Sequence, residues 1–214
     1  MSKRLTLALV LALAVSLSLA SVAFAQGGGG ADQHKRFRAD LHQLNRSGAH
    51  GDAKLTLEGR KLTTKINSHD MTPTGPSAPH AQHIHGFKQA LSECPTLAAD
   101  DNGDRLVNTV EGLPSYGPIR VSFTTRGDTS AASGLAVSRF PVADADGALH
   151  YKRTFSVPQG VSQNLGKMAI VQHGVDLNHN GRYDFKAAGK SELDPSLPQE
   201  ATIPANCGVI NPVG

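Results

Sequence analysis

Hydrophobic and polar residues alternate along several short segments of the chain, and this alternation is the clearest structural signal in the sequence. A period of two places the hydrophobic side chains of a segment on one face of a β-strand and the polar side chains on the other. The alternating segments cover residues 37–44, 53–57 and 61–66, and further strand-like runs cover 119–125, 149–157 and 168–173. Glycine-containing turns separate them, and Glu58-Gly59-Arg60 indicates a hairpin. We therefore predict an all-β sandwich or barrel, with residues 160–166 as a short helix or a turn.

The first 25 residues have the pattern of an export signal. Lys3 and Arg4 precede an apolar run that ends near residue 20, and Ala23-Phe24-Ala25 is a small-x-small cleavage site. The alternative is a membrane anchor, but the run is shorter than the roughly 20 residues that a bilayer span requires. We predict a signal peptide at 1–25, a flexible Gly-rich linker at 26–35 and one domain at 36–214. The mature protein is then secreted or extracytoplasmic, with no membrane span after cleavage.

The charge of the mature chain argues against a nucleic-acid partner. Loss of the signal peptide removes two of the 21 basic residues and leaves 19 against 18 acidic ones. The chain also has no cluster of Lys and Arg residues, and it has no Trp that could stack on a base.

Two cysteines, Cys94 and Cys207, lie in the predicted exported domain. In an oxidising compartment such a pair most simply forms one disulfide, and two unpaired thiols are the alternative. The bond would close a loop of over a hundred residues, for which the loss of chain entropy predicts a stabilisation of about 4–5 kcal/mol.

Three of the ten histidines fall within the segment P-H-A-Q-H-I-H-G, residues 79–86. In a β-strand, His83 and His85 point to the same face with about 6.5–7 Å between them, while Ile84 points to the other face. Two imidazoles in this arrangement suit copper, zinc or nickel if another part of the fold supplies a third ligand. A polar strand face without a metal is the alternative.

Several motifs follow in an order that resembles the copper–zinc superoxide dismutase superfamily: H-A-Q-H-I-H-G, then Cys94, then V-Q-H-G, then N-C-G-V-I. The resemblance covers about residues 37–210 and implies a Greek-key β-sandwich or barrel of the immunoglobulin-like type. It implies that His83, His85 and His173 bind copper and that His80 is a buried histidine that braces the site. It also implies the Cys94–Cys207 disulfide. The histidine segment is similar to the domain repeated in chordin-type (CHRD) proteins as well.

The chain departs from the dismutase pattern in two places that concern activity. Residues 95–149 contain no histidine, so the bridging histidine and the zinc ligands are absent and zinc is not expected. Pro204 stands three residues before the last cysteine, where the family has an arginine that steers the superoxide anion. Because local positive potential accelerates the capture of anions, this departure leaves catalysis open.

The segment 174–203 contains D-L-N-H-N-G-R-Y-D, which opens like a calcium loop. Its candidate ligands are Asp176, Asn178, Asn180 and Asp184. The twelfth position is Ala187, where an EF-hand needs a bidentate glutamate. A weak calcium site and a tight Asn-Gly turn closed by Asp side chains are both open, and the turn is the simpler interpretation. Residues 100–104 have a similar composition and are predicted to form a solvated turn.

Two functions fit these expectations. The first is a secreted copper-binding protein that dismutates superoxide, or binds another small anion, at a zinc-free site of three histidines. The second is a non-enzymatic extracellular copper-binding or interaction domain of the CHRD type. The sequence identifies no protein partner, and it has no G-x-S-x-G motif of a serine hydrolase. The other histidines are predicted to be solvated: His34, His42, His50, His69, His150 and His179.

Overall fold

The computed structural model describes residues 34–87 and 89–214, and most of this part of the chain is organised around an antiparallel β-sheet. The strands are β1 (Lys35–Gln43), β2 (His50–Glu58), β3 (Lys61–His69), β4 (Gln82–His85), β5 (Ile119–Ser122), β6 (Leu149–Ser156), β7 (Ala169–His173), β8 (Pro204–Val209) and β9 (Asn211–Val213). The helices are α1 (Thr109–Tyr116), α2 (Gln159–Asn164) and α3 (Gln199–Thr202). Short 3₁₀ turns occur at Leu97–Ala99, Ala131–Ser133, Val137–Arg139 and Leu165–Lys167.

The strands pair in the order β5-β4-β7-β8-β1-β2-β3-β6, and β9 adds to β1. β1 joins the two halves of this curled sheet, because Phe37 pairs with Leu55 on β2 while His42 pairs with Cys207 on β8. The connection from β3 to β4 crosses from one half to the other, as Greek-key folds require. The all-β expectation is therefore confirmed, and the structure supplies the strand order that periodicity alone could not give.

The alternation seen in the sequence is the burial pattern of the β1-β2-β3 half. On β3, Leu62, Thr64, Ile66 and Ser68 are buried, while Lys61 and Lys65 on the other face are exposed. β4 and β7 differ, because every residue of both strands is buried. Both faces of these two strands are covered, so polar residues on either face need partners within the protein.

A row of buried amide side chains lies on the face of β4, β7 and β8 that is turned away from His83. The Gln172 side chain donates to Gln82 Oε1 at 2.8 Å and accepts from Asn206 Nδ2 at 2.8 Å and from Ser68 Oγ at 2.6 Å. These residues face one another across paired strands, since Gln82 and Asn206 are both registered with Gln172. A slip in register would break all three bonds, so the row fixes how β4 and β7 align.

Helical structure agrees only in part with the sequence predictions. The short helix expected at 160–166 is α2 followed by a 3₁₀ turn. α1 was not predicted because Pro114 interrupts its hydrophobic pattern; it begins with a capping box between Asn108 and Glu111. β9 was not predicted either, since it is three exposed residues long.

The predicted signal peptide and most of the predicted linker lie outside the described residues. β1 begins at Lys35, the last residue of the predicted linker. In the described ranges, none of the helices has the length and hydropathy to cross a bilayer.

Candidate metal centre

Two strands bring three histidines together. His83 and His85 project from the same face of β4, while Gln82 and Ile84 project from the other. β7 pairs with β4 and ends at His173, where a shift in its register with β8 occurs. The third ligand that the H-x-H segment requires therefore comes from the neighbouring strand.

The three imidazoles form a compact buried cluster. One nitrogen from each ring lies within 4.8 Å of the other two, and the ring centroids are 5.2–6.0 Å apart. The exposed fraction is 3% for His83 and His173 and 0% for His85. Three imidazole nitrogens this close together could hold one metal ion.

Each ring is oriented by one hydrogen bond to a backbone carbonyl. His85 Nδ1 donates to Gly117 O at 2.7 Å, His173 Nδ1 donates to Thr202 O at 2.7 Å, and His83 Nε2 donates to Gly134 O at 3.1 Å. A carbonyl oxygen only accepts, so these bonds fix the tautomer of each ring. The remaining nitrogens are buried without any hydrogen-bond partner: His83 Nδ1, His85 Nε2 and His173 Nε2.

Burial keeps the cluster uncharged. Desolvation, with a smaller contribution from the neighbouring His173, lowers the pKa of His85 to about 3, and desolvation lowers the pKa of His173 to about 4. The pKa of His83 is also well below its usual value, first because of burial and then because of the two neighbouring rings. The unpaired nitrogens therefore keep their lone pairs at neutral pH, which is the state that a metal ion binds.

Glycine is required where α1 ends beside the cluster. Gly117 has a φ of +81°, and a Cβ at this position would lie 2.8 Å from the carbonyl oxygen of Phe87. This close approach brings the Gly117 carbonyl to His85. Tyr116 packs edge-on against the same imidazole, with 4.6 Å between ring centroids.

His80 lies beside the cluster and is fully buried. Its Nε2 is 3.0 Å from Pro73 O, and its Nδ1 is 3.1 Å from both His173 O and the hydroxyl of Tyr183. Desolvation lowers its pKa, so the ring is neutral and carries one N–H. If Nε2 donates to Pro73, then Nδ1 accepts from Tyr183. If Nδ1 carries the proton instead, it donates to His173 O and ties His80 directly to the backbone of that residue.

The segment between β7 and β8 folds back over this region. Glu200 is fully buried, and its carboxylate accepts the backbone N–H groups of Leu177 at 2.8 Å and Asp184 at 2.7 Å. These bonds hold Tyr183 against His80. Gly174 has a φ of +106°, and a Cβ there would collide with the Tyr183 hydroxyl. The sequence analysis did not single out Tyr183 or Glu200, because their partners are distant along the chain: the His80 ring for Tyr183 and two backbone N–H groups for Glu200.

A disulfide joins Cys94 to Cys207, with 5.7 Å between the two Cα atoms. Cys207 is buried on β8 and pairs with Val171 on β7. Cys94 belongs to the connection between β4 and β5, which also contains Gly117. The bond thus ties the connection that orients His85 to the strand next to β7.

The predicted calcium loop forms a closed turn. The Asp176 carboxylate accepts the N–H groups of Asn180 at 3.1 Å and Gly181 at 2.7 Å, and the amides of Asn178 and Asn180 donate to Asp184 at 3.3 and 2.6 Å. This is the arrangement that the tight-turn interpretation expects. Across the described part of the chain, the three histidines are the one group of three or more His, Cys, Asp or Glu residues whose ligand atoms all lie within 4.8 Å of one another.

The remaining six histidines are exposed and lie away from the cluster. A narrow cleft reaches the cluster from the surface, with His83 and His173 at its base and Leu135, Val137 and Leu193 at its rim.

Neither the known protein-family models nor the curated proteins include a match to this chain.

Proposed function

We propose that the protein binds one copper ion through His83, His85 and His173. The proposal rests on the two nitrogens of each ring. In every ring one nitrogen donates to a backbone carbonyl, and the other is buried without a hydrogen-bond partner. A buried nitrogen without a partner costs about 1–3 kcal/mol. Three such atoms in one cluster are accounted for if a metal ion takes their lone pairs.

Copper is the metal that the donor set and the resemblance both favour. Imidazole nitrogen suits copper, zinc and nickel, and the motif order resembles a superfamily in which the equivalent histidines bind copper. Copper bound there would supply one-electron redox chemistry. The protein itself would hold the three rings, exclude bulk water and keep the site uncharged. The disulfide supports a location in an oxidising compartment, in agreement with the predicted export signal.

Superoxide dismutation is a second candidate, because His83 and His173 lie at the base of a cleft that opens to the surface. The cleft gives a small anion a path to the site. No lysine or arginine lines that path in the described part of the chain, so capture lacks the steering that accelerates association about 10–10³-fold. If no dismutation accompanies copper binding, the non-enzymatic copper-binding alternative is the function that stands.

Copper titration of the metal-free protein tests the proposal. We expect one equivalent to bind, with Cu(II) giving an electron paramagnetic resonance spectrum of nitrogen ligation. The His173→Ala variant should lower the affinity at least 100-fold, because it removes one of three ligands. His150→Ala is the matched control: it replaces an exposed histidine of β6 and should bind copper like the wild type. Equal affinities in the wild type and in His173→Ala would refute the proposed site.

The copper-loaded protein then decides between the two candidates. Superoxide decay is followed after pulse radiolysis, with the metal-free protein and copper-loaded His150→Ala as references. Decay faster than with the metal-free protein supports dismutation at the site, and we expect a rate constant well below that of a steered reaction. Decay equal to that with the metal-free protein eliminates dismutation and leaves copper binding intact.

A further inference from the structure

The walls of the cleft above the histidines carry no charge. Its rim consists of exposed Leu135, Val137 and Leu193, with Ile119 and Leu197 deeper inside. Among all residues that line it within the described ranges, none is an aspartate, glutamate, lysine or arginine. Its volume is about 20 Å³, which is room for about one water molecule. A metal ion at the base of the cleft is therefore surrounded by apolar atoms on its open side.

The hydroxyl groups in the cleft already use their protons elsewhere. Thr109 Oγ1 donates to Thr202 O at 2.6 Å, and Thr202 Oγ1 donates to Ser191 Oγ at 2.7 Å. The Thr202 carbonyl also accepts from His173 at 2.7 Å. No hydroxyl proton of these two threonines is left to stabilise an anion that would accompany a doubly charged ion.

The groups behind the three rings are also neutral. All three imidazoles donate to backbone carbonyls, those of Gly117, Gly134 and Thr202, and none donates to a carboxylate. A carboxylate in this position raises the basicity of a histidine ligand and would offset one positive charge. The nearest polar shell therefore leaves the full charge of a bound ion uncompensated.

The charge of the metal ion therefore determines how much its desolvation costs, and so which ion the three histidines bind most favourably. The cost of transferring an ion from water to a low-dielectric interior is several kcal/mol even for a single charge, and in the Born description it grows with the square of the charge. Three neutral donors leave a net charge of one for Cu(I) and of two for Cu(II) or Zn(II). The monovalent ion is penalised least, and three nitrogen ligands are sufficient for it.

We infer that the three-histidine site is selective for monovalent copper over Cu(II) and Zn(II), and that the uncharged cleft formed by Leu135, Val137 and Leu193 is what makes it so. This inference rests on the proposed copper binding and adds the oxidation state that the protein retains. A protein with this preference holds copper reduced and releases or exchanges it when the metal is oxidised.

The test measures the affinities of the purified protein for Cu(I), Cu(II) and Zn(II) separately, by competition with chromophoric chelators specific for each ion. We expect the ratio of Cu(I) to Cu(II) affinity to place the midpoint potential of the bound couple above that of the aqueous copper couple. We also expect excess Zn(II) not to displace Cu(I). A midpoint potential below the aqueous couple, or displacement by equimolar Zn(II), overturns the inference.

Variants test whether the cleft causes the preference. Val137→Asp places a carboxylate at the rim and should lower the Cu(I)-to-Cu(II) affinity ratio at least 10-fold, which corresponds to about 59 mV. Val137→Asn adds polarity without charge and should change the ratio by much less. Val213→Asp is the matched control, because Val213 is a similarly exposed valine on β9, outside the cleft. Leu193→Asp repeats the test from the opposite loop if Val137→Asp does not fold.

The outcomes separate this inference from the proposed function. Absence of binding by either oxidation state refutes copper binding itself. Binding of copper with an unchanged ratio in both Val137→Asp and Leu193→Asp refutes the role of the cleft while copper binding stands. A fall in the ratio in Val213→Asp as large as in Val137→Asp would show a general charge effect and would also refute it.

Discussion

Reduction of the Cys94–Cys207 disulfide is expected to lower the free energy of unfolding of the metal-free protein by about 4–5 kcal/mol. The bond joins residues 113 positions apart, so its removal frees more than half of the chain in the unfolded state. The loss is a large part of the roughly 5–15 kcal/mol by which folded domains are stable. Urea denaturation with and without a reductant measures it directly.

Reduction should also weaken copper binding. The connection from β4 to β5 contains both Cys94 and Gly117, and the Gly117 carbonyl orients His85. Once the bond to β8 is lost, this connection is held by fewer contacts and His85 is less strictly oriented. We expect a lower copper affinity in the reduced protein. Equal affinities in the oxidised and reduced forms would show that the disulfide stabilises the fold without supporting the site.

A double variant, Cys94→Ala with Cys207→Ala, separates the disulfide from side effects of the reductant. It should have the stability of the reduced wild type, and addition of reductant should not change it further. A wild type that loses less than about 1 kcal/mol on reduction would contradict the chain-entropy account. In that case the unfolded chain would have to retain structure across the loop.

The sequence predicted the strands well where one face of the sheet meets solvent. β1, β2 and β3 alternate because their buried and exposed residues alternate, so a period of two reports the fold directly. β4 and β7 have no such signal, since both of their faces are buried. They were located through the histidine segment and the run that ends at His173.

The sequence could predict the side chains of the candidate site but not the backbone groups that orient them. His83 and His85 are two residues apart in one strand, so strand geometry alone puts them on a common face. The third ligand, His173, was implied by the resemblance and not by the residues, and the pairing of β4 with β7 that delivers it comes from the structure. The groups that orient the rings are the backbone carbonyls of Gly117, Gly134 and Thr202. Every residue has a backbone carbonyl, so the residue types do not indicate which ones accept these bonds. Their role depends on the path of three separate connections.

The uncharged cleft illustrates the same limit. The resemblance implied that Pro204 stands where the dismutase family has a steering arginine, but the sequence could not show what surrounds the open side of the site. Leu135, Val137 and Leu193 come from two connections that are distant in sequence. Only the fold brings them together at one rim. Because this rim is apolar, no charged side chain among the described residues lines the open side of the site.

Acidification of the metal-free protein from pH 7 to pH 5 is expected to lower its free energy of unfolding by about 4 kcal/mol through His85 and His173 alone. The folded pKa values of these residues are about 3 and 4, whereas an unfolded histidine has a pKa of about 6.5. Between these values the unfolded chain binds protons that the folded protein does not. Stability is therefore complete above about pH 6.5 and is lost as the pH falls toward the folded pKa values, by about 2 kcal/mol per histidine at pH 5.

His80 and His83 act in the same direction, because burial lowers their pKa values too. Glu111 acts in the opposite direction, since burial raises the pKa of its carboxyl group, but it is a single group against four. The slope of stability against pH between 5 and 7 therefore reports mainly how many histidines are held neutral in the fold.

The slope is measured by urea denaturation of the metal-free protein at several pH values, and a variant of one histidine identifies its source. His85→Gln should reduce the slope near pH 5.5 by about one proton, whatever the variant does to absolute stability. His150→Gln, which replaces an exposed histidine of β6, is expected to keep the wild-type slope. A stability that is constant from pH 7 to pH 5 would mean that the cluster accepts protons without unfolding. The buried, neutral ligand set on which the preference for monovalent copper depends would then not exist in solution.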